Sequence, residues 1–460
     1  MPAGFIKAAM TGQQVSKVKL STQHFGDGPT MTKRSSTPAD AVLVAIDMSK
    51  HRQEVLIERP EGGRRRRMTI MATKADYDRL AAELGGIGRP IVVGFEATGN
   101  YHRTLAHRLL SAGFELRLIS SVALARTREA LYNGWDKNDS KDAQVILHML
   151  RIGATQRYVD PLVAGINDLQ EMSKTHEAIS KAKTQTWHRI LTHYLPLYFP
   201  EIERFAGNSR SDWFLALLER FPTPASMTAL GQEGFTREAW PLVGRKVSKA
   251  RLIKDIYETA CASVALPIDE HSVAIAMFRM VIAQARSLIR QRDEIERTAH
   301  AMLSDNRDYQ LLRMIPGIGP INALTILAEA GDLRRFAHHR QFLKFCGLDL
   351  ATCQSGTFRG RTKLSKYGNA RLRRTFWMAT QVAIRQRDNS FRDKLGRYVA
   401  GHGNDPDRRR KAMTALTAKM ARVAHAVIKT GAEYRPFVER ADTRWKDPSL
   451  LCREGATATL

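Results

Sequence analysis

Apolar runs of two kinds organise the chain. Val42-Leu43-Val44-Ala45-Ile46 is almost wholly apolar and β-branched, the pattern of a central strand covered on both faces, and it ends in Asp47. Extended segments at 55–57 and 68–71 follow, linked by the turn-forming Pro60-Glu61-Gly62-Gly63, which predicts an antiparallel meander. Tyr77, Leu80, Ala81 and Leu84 then recur at helical spacing and close at Gly85-Gly86. A second buried strand at 91–95 ends in Glu96. A helix carrying Tyr101, Leu105, Leu109 and Ala112 stops at Gly113, and 116–119 reads as another strand before the apolar helix at 145–150.

Three strands, helix, strand, helix, strand, helix is a ribonuclease-H-like order, a mixed sheet with helices packed on it and a site where strands end. The expected fold class is therefore α/β in the N-terminal part and α beyond it. From about 165 to 310 the pattern is helical. Ala274, Val281, Leu288 and Ile295 recur every seventh residue, with Met277, Phe278 and Ala285 beside them, which predicts a long helix. Such a helix pairs with a partner or packs as an ordinary amphipathic helix, and Gln284 and Gln291 at would-be seam positions keep both open. The expected divisions are a polar leader at 1–38, an α/β domain at 39–160, a helical or coiled-coil connector at 161–307, a mostly helical domain at 308–435 and a tail at 436–460.

Charge narrows the function. Lys and Arg total 72 against 46 Asp and Glu, a net +26, which points to a polyanionic partner. Basic residues are spread along the chain, as a surface following a phosphate backbone requires. Four scattered cysteines form no CxxC pair and fit neither a disulfide framework nor a structural zinc. No run approaches the length of a membrane span, so a soluble protein of the bacterial cytoplasm, associated with the nucleoid and not with a membrane, is expected.

The chemistry concentrates in carboxylates. Asp47 and Glu96 close two central strands, and Asp139 and Asp142 sit three apart at a helix start, facing the same way. Helix capping accounts for one of these aspartates, and Asp136, one turn earlier, competes with Asp139. Hard oxygen ligands gathered together suit Mg2+ or Mn2+, which in a two-metal site assist phosphodiester displacement.

Further on, Ile315-Pro316-Gly317-Ile318-Gly319 between apolar helices has the helix-hairpin-helix pattern, with Gly317 and Gly319 presenting N–H groups to a DNA phosphate, or is simply a tight turn. Arg361, Lys363, Lys366, Asn369, Arg371, Arg373 and Arg374 form a dense polar stretch after Gln354-Ser355-Gly356, suited to nucleic acid. Ser355 is either a nucleophile toward phosphorus or a turn residue.

Taken in order, Ile46-Asp47, Gly94-Phe95-Glu96-Ala97-Thr98-Gly99, Lys137-Asn138-Asp139-Ser140-Lys141-Asp142-Ala143, Ile315-Pro316-Gly317-Ile318-Gly319 and Gln354-Ser355-Gly356 through Ser365-Lys366-Tyr367-Gly368-Asn369 resemble the DEDD insertion-sequence transposases of the IS110 type and the related Piv-like invertases. The resemblance covers roughly 40–150 and 308–430. It implies a RuvC-like domain, a coiled-coil connector and a C-terminal transposase domain. It also implies that Asp47, Glu96, Asp139 and Asp142 are the catalytic metal tetrad, preferring Asp139 over Asp136, and that Ser355 attacks DNA to give a phosphoserine link. Donor and target DNA, a bridge RNA that pairs with both, and a homodimer or homotetramer are the partners it implies. The polar leader and a longer region at 195–265, with Trp187, Trp213 and Trp240 in and around it, depart from the pattern, as does Leu364 before Ser365-Lys366. A RuvC-like junction nuclease that uses water in place of serine, and a silent nucleic-acid binder on the same fold, are the alternative readings.

Overall fold

The computed structural model describes residues 37–97, 99–132, 139–207, 212–244, 248–352, 354–360, 362–401, 403 and 405–437, without the side chains of Asp139, Ser140 and Arg359. The expected leader up to residue 36, Asp136, Arg361 and the tail from 438 lie outside the described residues. Two compact units form. The first holds the residues up to Asn306 together with Leu327–Gly331, and the second holds Arg307–Ile326 and the chain from Asp332.

The first unit begins with the meander β1 (Val42–Asp47), β2 (Arg52–Glu58) and β3 (Arg66–Met71), then α1 (Lys74–Gly85), β4 (Ile91–Glu96), α2 (His102–Ser111), β5 (Glu115–Ile119), α3 (Ser121–Tyr132), α4 (Asp139–Arg151) and a short β6 (Gln156–Arg157). Sheet order is β3-β2-β1-β4-β5-β6. β4 and β5 run parallel to their neighbours β1 and β4, and the remaining pairs are antiparallel. The mixed sheet expected from the sequence is present, with β6 and α3 added to it.

Two-residue alternation divides β1 and β4 between two cores. Val42, Val44, Ile46, Ile91, Val93 and Phe95 meet Tyr77, Leu80, Leu84, Leu105 and Leu109 of α1 and α2. Leu43, Ala45 and Val92 meet Val145, Ile146, Met149 and Leu150 of α4 on the other side. A strand buried on both faces has no polar position until it ends, which is why β1 and β4 read as unbroken apolar runs.

The helical remainder of the first unit comprises α5 (Asn167–Arg189), continued through a π turn into α6 (Leu195–Tyr198), then α7 (Asp212–Arg220), α8 (Pro224–Thr228), α9 (Gly231–Leu242), α10 (Lys249–Cys261) and the 31-residue α11 (Val273–Leu303). Ile275, Phe278, Val281, Ile282, Ala285 and Ile289 of α11 join Trp187 and Phe214 in one core. The long helix predicted from the heptads is present, but Val281, Phe278 and Ala285 are covered by this same chain. Its exposed side carries Val273, Met277, Met280, Gln284 and Gln291. The tryptophans divide: Trp187 is buried edge-on to Phe214 at 6.0 Å, Trp213 packs on the same core, and Trp240 lies half-exposed under Lys249 Nζ.

The second unit contains α12 (Arg307–Arg313), α13 (Pro320–Ala330), whose last residues group with the first unit, α14 (His339–Cys346), the short strands β7 (Leu350–Ala351), β8 (Gln354–Ser355), β9 (Phe358–Arg359) and β10 (Lys363–Leu364), then α15 (Ala370–Ala383), α16 (Ser390–Val399) and α17 (Pro406–Thr430). α17 packs on α12, α14, α15 and α16 along Leu416, Met420, Ala424 and Ile428. Among the described residues no helix is long and apolar enough to cross a membrane.

One glycine sets how closely α4 approaches the sheet. A Cβ on Gly94 would lie 2.7 to 2.8 Å from the Cδ and Cγ atoms of Leu150, a side chain that is itself buried. Gly94→Ala overpacks this contact and should cost about 1–3 kcal/mol in reversible urea unfolding. A variant as stable as the parent would show that α4 can back away freely.

Candidate active site

The parallel pairing of β1 and β4 places two carboxylates together. Its register runs through Ala45 opposite Gly94 and Ile46 opposite Phe95, so the next positions on the two strands are Asp47 and Glu96. Ile46 and Phe95 face the α1 and α2 core, so alternation turns Asp47 and Glu96 to the α4 face. On the other flank Glu54 of β2 stands opposite Asp47. Three acids thus occupy adjacent strands at one end of the sheet.

Glu54 is buried and its charge is compensated. Arg52 Nε donates to Oε1 at 3.0 Å, Thr69 Oγ1 donates to the same oxygen at 2.9 Å, and Arg67 lies 3.9 Å from Oε2. Burial opposes ionisation, but these donors outweigh it and hold the carboxyl below the usual glutamate value.

α4 brings its first turns to the same place. Leu150 lies over Gly94, and Arg151, at the C-terminus, reaches Glu58, which pairs with Leu43 near the start of β1. α4 therefore runs antiparallel to β1, and the eight residues from Leu150 back to Asp142 advance about 12 Å, past the strand ends. Asp142 is 1% exposed, and Arg128 of α3 donates to its Oδ1 at 2.5 Å. Arg128 Nε is buried with no partner. Asp139 belongs to the first turn of α4, and its side chain lies outside the described residues. Among the described residues no three His, Cys, Asp or Glu side chains gather closely enough to hold one ion. The strand ends of Asp47 and Glu96 are brought together, while Asp142 is held by Arg128.

Aromatic packing supports the Glu96 strand end from behind. Phe95 stacks on His102 at 5.7 Å and meets Tyr158 edge-on at 5.2 Å. Burial, reinforced by the neighbouring Arg103, pushes the His102 imidazole below its ordinary value. Burial and the Asp160 carboxylate push the Tyr158 phenol up to about 12.

In the second unit Ser355 is exposed on the β8–β9 hairpin, paired with Phe358 across a turn in which Gly356 has φ +54°. Lys363 and Lys366 are exposed nearby in sequence. Asn369 caps α15 by accepting from the Leu372 N–H at 3.0 Å. Arg373 donates to the carbonyls of Lys366 and Cys346 at 3.1 and 3.3 Å. These two residues, read from sequence as nucleic-acid ligands, make local structural bonds. Arg371 and Arg374 stand on the same helix, half-buried and exposed.

The Pro-Gly-Ile-Gly turn joins α12 to α13, and its two glycines differ. Gly317 has φ +87°, and a Cβ there would lie 2.1 Å from the Ala379 carbonyl oxygen of α15. Gly319 has nothing within 4 Å of such an atom. Gly317 serves close backbone packing, and Gly319 is the one with room around it.

Known families match both units. The profile described as the Transposase IS116/IS110/IS902 family matches residues 309–395, and the IS110-type DEDD transposase profile matches 44–200. The chain belongs to this transposase family. A Pseudomonas aeruginosa protein named "probable family 20 transposase" is 25% identical over 350 residues, 75% of this chain and 86% of its own. An uncharacterized protein of insertion element IS116 from Streptomyces clavuligerus is 25% identical over 359 residues, 76% of this chain and 86% of its own. The transposase of element IS1328 from Yersinia enterocolitica is 30% identical over 152 residues, 32% of this chain and 43% of its own. Between the two profiles, α7 to α11 fall outside both.

The transposase carries two site residues that sequence reasoning missed. Glu54 was discoverable, because pairing the meander around its turn sets it opposite Asp47. Arg128 offered no signal, since one arginine among many in a basic chain becomes distinctive only when α3 and α4 pack. The two glycines of the α12–α13 turn yield a separable expectation. Gly317→Ala should unfold the second unit at markedly lower temperature, while Gly319→Ala keeps its melting temperature, both read by thermal circular dichroism of the full chain. Equal tolerance at the two positions would contradict the packing assigned to Gly317.

Proposed function

We propose that this transposase cuts and rejoins DNA through divalent cations held by Asp47, Glu96, Asp139 and Asp142, with Ser355 as nucleophile. The observation that supports the reading most is the convergence at one sheet end: two strand-terminal carboxylates in adjacent register, and a helix whose first turns pass over them carrying Asp142. The donor set is all carboxylate oxygen, which suits Mg2+ or Mn2+, and the family usually uses a divalent metal. When bound, such cations activate the attacking oxygen and stabilise the leaving one.

The protein's own groups would do the rest. Ser355 Oγ bonds to phosphorus as the bond to one bridging oxygen breaks, and the proton lost by serine is matched by the one the leaving oxygen takes up. The reverse step restores a phosphodiester with another strand. Lys363, Lys366, Arg361, Arg371 and Arg374 would hold the phosphates, with the N–H groups around Gly319 as a helix-hairpin-helix contact. Donor and target DNA are the substrates. A bridge RNA, assembly into dimers or tetramers, and residence in the cytoplasm belong to the same reading.

A trapping experiment separates strand transfer from hydrolysis. With Mg2+ and substrate DNA, the parent should yield protein covalently attached to DNA after denaturation. Ser355→Ala should bind DNA but yield no adduct and no exchange, and Asp142→Asn should lose at least about 100-fold in rate, a neutral amide being the poorer ligand. Undiminished cutting by Ser355→Ala would instead indicate a RuvC-like nuclease that uses water.

A further inference from the structure

The acidic end of the sheet contains a cation of its own. Asp142 is 1% exposed and accepts from the Arg128 guanidinium, whose side chain is 13% exposed and whose Nε has no partner. Glu54, the other buried acid at this end, is compensated by Arg52 and Arg67 and does not call on Arg128. An aspartate so buried cannot remain charged without a countercharge, and an arginine cannot be neutralised to leave it. Arg128 comes from α3, whereas the acids stand on β1, β2, β4 and α4, so the cation and the carboxylates belong to different elements.

We propose that Arg128 is a positioning residue that stands in for the divalent cation at Asp142: it stabilises the metal-free fold, competes with metal for the carboxylate and yields it when the ion binds. This rests on the assignment of Asp142 to the metal site. It accounts for the bond that turns Asp142 toward α3. A purely structural pair would contribute equally with and without metal.

Thermal unfolding of the full-length chain, without DNA and across a Mn2+ series, distinguishes the two. Arg128→Met leaves Asp142 uncompensated, so in chelator its Tm should fall by roughly 5 °C or more. Mn2+ should restore much of that loss, giving a Tm rise larger than in the parent and a Mn2+ Kd about tenfold tighter, since ligand stabilisation grows as Kd falls. Arg128→Lys should resemble the parent, and Arg128→Met with Asp142→Asn should regain stability in chelator yet lose most of the Mn2+ response. A rise in Arg128→Met equal to or below the parent's overturns the role of Arg128 alone. Absence of a Mn2+ response in both parent and Arg128→Met overturns the metal-site reading itself.

Discussion

Negative charge gathered at one end of a sheet is the constraint around which the first unit is built. Asp47 and Glu96 follow directly on paired residues of two parallel strands, and Glu54 flanks them from β2. Like charges at this spacing repel, and each must be offset by a cation or a donor. Arg52, Arg67 and Thr69 do so for Glu54, and Arg128 does so for Asp142. Gly94 lets α4 lie close enough for its first turns to pass over the strand ends, so one missing side chain helps decide where Asp142 stands.

The second unit solves a different problem, that of holding short strands and a basic surface on a small helical base. Gly347, at φ +66°, lets the chain leave α14 where Arg373 crosses it, and Asn369 starts α15. These polar residues tie down the segment that carries Ser355, Lys363 and Lys366. Exposure of Ser355, Lys363 and Lys366 on such a base is what a surface acting on a long polyanion requires.

Legibility in the sequence followed burial. β1 and β4 were readable as strands, and their ends as candidate sites, because strands covered on both faces leave unbroken apolar runs that stop at the first carboxylate. α4 was readable from its apolar run after two aspartates. That α11 is a long helix was readable from its heptads, but its partner was not: a repeat of apolar residues states that a face is covered, and α11 turns out to pack on α5 and α7 of the same chain, with Tyr194 and Tyr198 against Phe278. The local bonds of Asn369 and Arg373 were not legible for a related reason, since a polar residue in a basic stretch looks alike whether it faces a phosphate or a neighbouring carbonyl. The Arg128–Asp142 pair was invisible because it joins two helices through geometry that no spacing encodes.

The central claim, that cations bind where β1, β4 and α4 converge, is tested most directly by replacing Mg2+ with Fe2+ and generating hydroxyl radicals with ascorbate and peroxide, then mapping the cleaved peptides by mass spectrometry. Radicals formed at a bound iron cut nearby backbone. The account predicts cuts confined to the ends of β1 and β4 and to the first turn of α4, suppressed by excess Mg2+. Cuts clustered elsewhere in the chain, or a pattern indifferent to Mg2+, would contradict it.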